Sequence, residues 1–245
     1  MKSPETFYTL GSPRLLRAGR AASSVYGSID WYSKFKEAED RGISFEPVYC
    51  SLDPRHRRGG ERIGTMQLIL PVARPGDFTW TWIGPVVTDR VLSLFKDASF
   101  TGFKINPATI LKSKRGINSE ASLPKIWELE VVGKGGEAHP DSGIRLLYSC
   151  PQCGYERYSS FHEGIKVDQE KWDGSDFFTV TGYPTIILVR ERVKRLVMDN
   201  SLSNCAIIRS EDLRWGDNIP RPEDHPENFI PGKIEVLRST KSSTV

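Results

Sequence analysis

Cys150-Pro151-Gln152-Cys153-Gly154 is the segment of this 245-residue chain best equipped for chemistry. Two thiolates two residues apart can grip one zinc ion, because the turn between them aims both sulfurs at one point. Glycine after the second cysteine permits the tight backbone that such a turn needs. A closed structural zinc site takes four ligands, and this motif supplies two. There is no second Cys-x-x-Cys, and the candidates for the others are Cys50, His56, His162 and Cys205. Cys50 stands beside a loop that also carries His56. His162 follows Cys153 at the far end of a predicted hairpin. Cys205 falls where an apolar side chain is expected to enter the core. The expected set is Cys150, Cys153, Cys50 and His162, holding one structural zinc. A zinc-free hairpin is the alternative. A thioredoxin-like redox motif fits poorly, because the cysteines lie between strands and not at a helix start.

Other chemical constellations are incomplete. The four histidines are scattered, and none forms a His-x-x-x-His pair. No Gly-x-Ser-x-Gly elbow occurs. Gly133-Lys134-Gly135-Gly136 lacks the Gly-Lys-Ser/Thr ending of a phosphate loop and reads as a plain turn. Glu128 and Glu130 read as solvated charges on the wet face of a strand rather than an acid–base pair. Arg55-His56-Arg57-Arg58 is the best basic cluster. No aromatic residues are interleaved with it, so a solvated loop is expected in preference to a nucleic-acid contact. Trp80 and Trp82, at alternate positions, are expected in the core.

The elements that would position these groups follow from apolar periodicity. A helix is predicted over Ile29 to Asp40, ended by Arg41-Gly42. Strands are predicted at Phe45 to Cys50 and Thr65 to Val72, with a loop over Asp53 to Gly60 between them. Ile126 to Val132 alternates, with Trp127, Leu129 and Val131 on one side. Ile144 to Tyr148 and Tyr155 to Phe161 flank the cysteine motif as arms of a hairpin.

A short unit occurs twice. Thr88 to Ile105 aligns with Arg190 to Ile207 at a constant offset of 102, with six identities: Arg90/Arg192, Val91/Val193, Leu94/Leu196, Asp97/Asp199, Ser99/Ser201 and Ile105/Ile207. Chance would give roughly one in a window of that length. Val87, Val91, Leu94, Phe95 and Ala98 fall at helical spacing, as do Val189, Val193, Leu196 and Val197, a stripe of about three turns in each unit. Gly102 and Asn204 occupy equivalent turns, and both residue types tolerate a left-handed backbone. Each unit reads strand, Gly/Pro turn, helix, strand. The fold class is α+β, sheet-rich, with two copies of this unit and the cysteine hairpin between them.

The composition bounds the function. Lys and Arg total 34 against 31 Asp and Glu, a net charge of +3, too near neutral to imply nucleic acid or an anionic membrane. No apolar run of about 18 residues occurs, so no membrane span is expected. With no signal-peptide pattern at the N-terminus, the cysteines are expected as reduced thiols or metal ligands in the cytoplasm.

Ser142-Gly143-Ile144-Arg145-Leu146-Leu147, the cysteine motif, Trp172-Asp173-Gly174-Ser175-Asp176-Phe177-Phe178 and Ile187-Leu188-Val189-Arg190-Glu191-Arg192-Val193 together resemble bacterial double-CXXCG-motif proteins. Val87 to Val91 and Thr101 to Phe103 resemble related immunity-type proteins without cysteines. The resemblance spans roughly residues 45 to 213. The family's first Cys-x-x-Cys-Gly is absent here, and only Cys50 stands in that region. The resemblance implies a non-enzymatic cytoplasmic immunity protein whose partner is a cognate toxin. A zinc-knuckle module touching nucleic acid and an enzyme of unfamiliar type are the alternatives. The expected organisation is an N-terminal region (1–75) packing on the repeats, then a first unit (76–142). A cysteine hairpin with the second unit (143–216) follows, then an extended tail (217–245).

Overall fold

Met66, Leu68 and Leu70 are fully buried while Gln67 and Ile69 between them are half-buried, a period of two that only a strand produces. Strands of this kind build two sheets in the computed structural model. It describes residues 5–13, 16, 39–40, 42–56, 58–70, 75–81, 83–113 and 124–215. The expected helix over residues 29–38, Trp82 and the tail from 217 lie outside these.

The six-stranded sheet runs β2 (Glu39–Asp40), β5 (Met66–Leu70), β8 (Phe103–Ser113), β9 (Ile126–Val131), β7 (Pro85–Thr88), β6 (Phe78–Trp80). The five-stranded sheet runs β10 (Gly133–Lys134), β13 (Phe177–Val180), β14 (Tyr183–Arg190), β1 (Phe7–Gly11), β15 (Ala206–Arg209). Helix α1 (Asp89–Asp97) follows β7, and α2 (Glu191–Asp199) follows β14. Two further hairpins stand apart from the sheets: β3 (Ile43–Val48) with β4 (Arg58–Gly64), and β11 (Leu146–Ser149) with β12 (Glu156–Tyr158). The fold is therefore sheet-rich α+β. No helix among the described residues is long and apolar enough to cross a membrane.

The central core joins both sheets and both helices. Tyr8, Leu10, Phe78, Phe95, Leu129, Phe177, Val189, Val193 and Val197 belong to one buried cluster. Phe95 of α1 meets Phe177 of β13 at 5.1 Å between ring centroids. Full burial of each such ring is worth about 2–3 kcal/mol.

The structure corrects several local expectations. A strand (β7, β14) intervenes between each turn and its helix, so Val87 and Val189 lie on strands and not on the helical stripe. Hairpin pairing to β6 and β13 wins over helical spacing there. Glu39 and Asp40 pair with β5 as a strand rather than ending a helix. The expected loop to Gly60 instead becomes β4 from Arg58, because Gly59 pairs with Pro47 across the hairpin. Gly133-Lys134 is not a plain turn, since it forms β10 parallel to β13. Glu128 is buried, not solvated, and bonded by Arg62 at 2.5 Å. Trp80 is in the core as expected.

Beyond each helix the backbone turns left-handed twice, at Ser99 and Gly102 and again at Ser201 and Asn204. The Phe100 and Leu202 N–H groups return to the carbonyls of Phe95 and Val197. This is the six-to-one bond of a Schellman end. Each turn is then held by a carboxylate from the other half. Asp77, just before β6, accepts from Ser203 N and Oγ at 2.8 and 2.9 Å. Asp176, just before β13, accepts from Thr101 N and Oγ1 at 2.8 and 3.0 Å. Arg90 bonds Asp77 and the Asn200 carbonyl, while Arg192 bonds Asp176 and the carbonyls of Ala98 and Ser99. Two Asp–Arg clasps thus cross reciprocally between the halves.

Gly102 cannot be replaced cheaply. Its φ is +88°, and an added Cβ would lie 2.0 Å from the Phe177 carbonyl oxygen. Gly102→Ala is expected to lower unfolding stability by well over 1 kcal/mol, measured by denaturant titration. A neutral result would show that the turn re-forms.

Candidate metal centre

Strand β3 ends at Val48, and the chain loops out before returning as β4. The Asp53-Pro54 turn shapes this loop: His56 N bonds the Asp53 carbonyl at 3.1 Å and Arg55 N bonds Asp53 Oδ1 at 2.9 Å. Cys50 and His56 flank the turn. The β11–β12 hairpin supplies the other wall. Cys150 N bonds the Tyr155 carbonyl at 2.8 Å, and Gly154 N bonds the Cys150 carbonyl at 2.9 Å. Gly154 has φ +67°, the left-handed turn that its residue type predicted.

The two loops bring Cys50, His56, Cys150 and Cys153 together. All four are buried, and their ligand atoms lie within 4.8 Å of one another. This group could hold one metal ion. Cys50 Sγ is 3.7 Å from Cys150 Sγ, and Cys153 Sγ is 3.7 Å from His56 Nδ1. Metal–ligand bonds of about 2.0–2.3 Å in a tetrahedron give edges of roughly 3.5–3.8 Å, so both spacings fit a four-coordinate ion. Three sulfurs and one nitrogen are the donor set of a soft or borderline cation such as zinc.

The surroundings favour thiolate at Cys150 and oppose it at Cys153. The backbone N–H groups of Cys153 and Gln152 point at Cys150 Sγ and outweigh its burial, lowering its pKa to about 6. Burial chiefly, helped by the neighbouring sulfurs, pushes the Cys153 thiol up. The remaining ring nitrogen of His56, Nε2, faces Asp53 Oδ2 at 3.6 Å. A carboxylate on that side orients a ligating imidazole. Asp53 is itself held ionised, mainly by the Arg55 side chain, which grips it through Nε and Nη2. The His56 ring stacks on Tyr155 at 4.7 Å, and Val48 and Tyr148 complete an apolar shell.

Three of the four expected ligands are thus in the group: Cys150, Cys153 and Cys50. His162 is not, and His56 stands in the fourth place. His162 lies beyond β12, next to Phe161, which pairs with Trp215 in a separate bridge. His56 was a candidate from the sequence, passed over in favour of His162. The choice between the histidines depends on how two hairpins separated by 100 residues meet. Accordingly, His56→Ala is expected to lose stoichiometric metal while His162→Ala keeps it, as read by metal analysis of the untagged proteins. Equal metal content in both would reject the assignment. Cys205 lies against the central core as expected, with its thiol donating to the Leu202 carbonyl and burial pushing its pKa up to about 12.

Of the remaining candidates, Arg57 lies outside the described residues and the others described are engaged structurally. Arg55 is committed to Asp53. Arg62 and Asn106 tie Glu128 to Glu130, fastening β4 to the six-stranded sheet. A cavity of about 250 Å³ lies beside them, and no histidine or cysteine among the described residues lines it. Among the described residues, the Cys50 group is the one cluster with a metal-ligand donor set. Set against known proteins, the chain matches no family model, and no curated protein matches it.

Proposed function

We propose that this chain is a non-enzymatic binding scaffold, stapled by one structural zinc ion, that acts by covering a protein partner in the manner of toxin-neutralising immunity proteins. The observation carrying this is the closed donor set. Cys50, His56, Cys150 and Cys153 supply four buried ligands, whereas a catalytic zinc keeps a position open for water or substrate. Cys50 and His56 supply the two donors that the missing Cys-x-x-Cys-Gly would bring in the family this chain resembles. The reciprocal Asp77–Arg90 and Asp176–Arg192 clasps support reading the two halves as copies of one unit, serving as frame. The zinc-bearing loop displays Tyr49 at 87% and Leu52 at 64% exposure, on either side of buried Cys50. Exposed apolar side chains on a pinned loop suit protein recognition, because little ordering entropy remains to be lost. A reducing compartment such as the cytoplasm would keep the thiols available.

The test is a search for a toxin-like gene beside that of this chain, and co-expression of the two, scored by survival and by co-purification. Survival that requires intact Tyr49 and Leu52 supports the reading. No protection and no complex would sink it.

A further inference from the structure

Cys50 and Cys150 are two buried thiols from different hairpins, with sulfurs 3.7 Å apart. A disulfide is about 2.05 Å long, so joining them closes a gap of roughly 1.7 Å. The loop bearing Cys50 is buried at the site, but it belongs to a hairpin whose β3 side chains are mostly exposed, so the closing movement falls on that hairpin and not on the sheets. The Cys150 and Cys153 sulfurs also interact, but their backbone is placed differently. They share one turn, locked by Gly154 N on the Cys150 carbonyl and Cys150 N on the Tyr155 carbonyl. Pairing them would pull Cys150 Sγ away from the N–H groups of Gln152 and Cys153 that it accepts from.

We propose that Cys50 and Cys150 form a reversible disulfide when a peroxide reaches the site, a redox modification that exchanges a metal cross-link between the hairpins for a covalent one. It rests on the reading that the same thiols ligate zinc when reduced. One thiolate attacks a peroxide oxygen: the S–O bond forms, the O–O bond breaks, and the leaving oxygen departs as water after taking up a proton. The second thiol then attacks the sulfenic sulfur. The S–S bond forms, the S–O bond breaks, and a second water leaves. Two thiols lose two electrons and two protons, and the peroxide accepts them. A small-molecule thiol reverses the bond by exchange.

Two of the four ligands are consumed, leaving Cys153 and His56, too few for a closed site. The tie between the hairpins nevertheless persists, so the surface bearing Tyr49 and Leu52 stays in place under oxidative stress. This is a different outcome from a Cys150–Cys153 bond, which would free the metal and release the Cys50 loop together.

The test treats the full-length reduced protein with hydrogen peroxide. It follows metal release with a chromogenic chelator, counts free thiols and maps cross-linked peptides by mass spectrometry. The expected result is loss of the bound zinc, a fall from four free thiols to two, and a Cys50–Cys150 cross-link two hydrogens lighter that dithiothreitol reverses. Cys153→Ser is expected to give the same cross-link without bound metal. A dominant Cys150–Cys153 bond, or sulfinic acids with no cross-link, would overturn the proposal. If the untreated protein carries no zinc, the metal reading fails, while the cross-link is still decided on that same sample.

Discussion

Cys153→Ser is expected to leave the protein without the stoichiometric zinc proposed for the Cys50 group and to loosen the two hairpins while sparing the sheets. The reason lies in how little else joins those hairpins. Most side chains of β3 are exposed, and an isolated two-stranded hairpin is marginal in water. Arg62 ties β4 to the main sheet through Glu128 and Glu130. An ion that binds the folded site and not the unfolded chain stabilises it by about 4 kcal/mol at a thousandfold its dissociation constant. That stabilisation is lost in the variant, and equally in wild type treated with a chelator. Hydrogen exchange should therefore quicken over residues 43–64 and 146–158 and stay unchanged over 177–209. Lowering the pH acts in the same direction, because protons compete with metal for thiolates. Cys150, with a pKa of about 6, stays a thiolate to lower pH than Cys153, whose pKa is raised. Zinc binding near neutral pH should thus release a proton from Cys153. A variant with wild-type metal content and wild-type exchange would refute the staple.

Arg192→Ala destabilises the fold by about 3 kcal/mol, and Arg90→Ala by less than about 1 kcal/mol, although the two arginines make matching contacts. Burial separates them. The Asp176 side chain is 1% exposed, so losing Arg192 strands a carboxylate in the interior, with Arg190 at 3.8 Å as partial relief. The Asp77 side chain is 14% exposed and its Arg90 partner 53%, so water replaces what the substitution removes. Burial alone would raise the Asp176 pKa, but the Arg192 and Thr101 hydrogen bonds outweigh it and hold it below the ordinary 3.8. A depressed carboxylate pKa stabilises the folded state above the ordinary value. That stabilisation is lost as pH falls through the folded value. The gap between wild type and Asp176→Asn should therefore shrink as pH drops below about 4. Denaturant titrations at neutral and acid pH read both effects. Equal losses at Arg90 and Arg192 would show that burial does not set the difference.

The clasps also explain what the self-similarity concealed. Arg90 and Arg192 were visible as identities, but their partners Asp77 and Asp176 lie outside the aligned units. Their pairing was not visible, because each Asp grips a turn more than 70 residues away in the other half. Val87 and Val189 show the opposite failure. Three or four apolar residues at mixed spacing suit either a strand end or a helix start, and the hairpin partners β6 and β13 decided between them.

The sequence by itself determined what is local. Gly154 after the cysteine pair, the positive-φ turns at Gly102 and Asn204, the apolar stripes of both helices and the hairpin around Cys150 follow from side-chain and backbone preferences a few residues apart. Tertiary structure decided the rest. It buried Glu128 against Arg62, inserted β1 between β14 and β15, and placed His56 beside the three cysteines. A metal site requires four donor atoms converging within about one tetrahedron. Convergence is a property of two hairpins meeting in space, and no spacing along one chain encodes it.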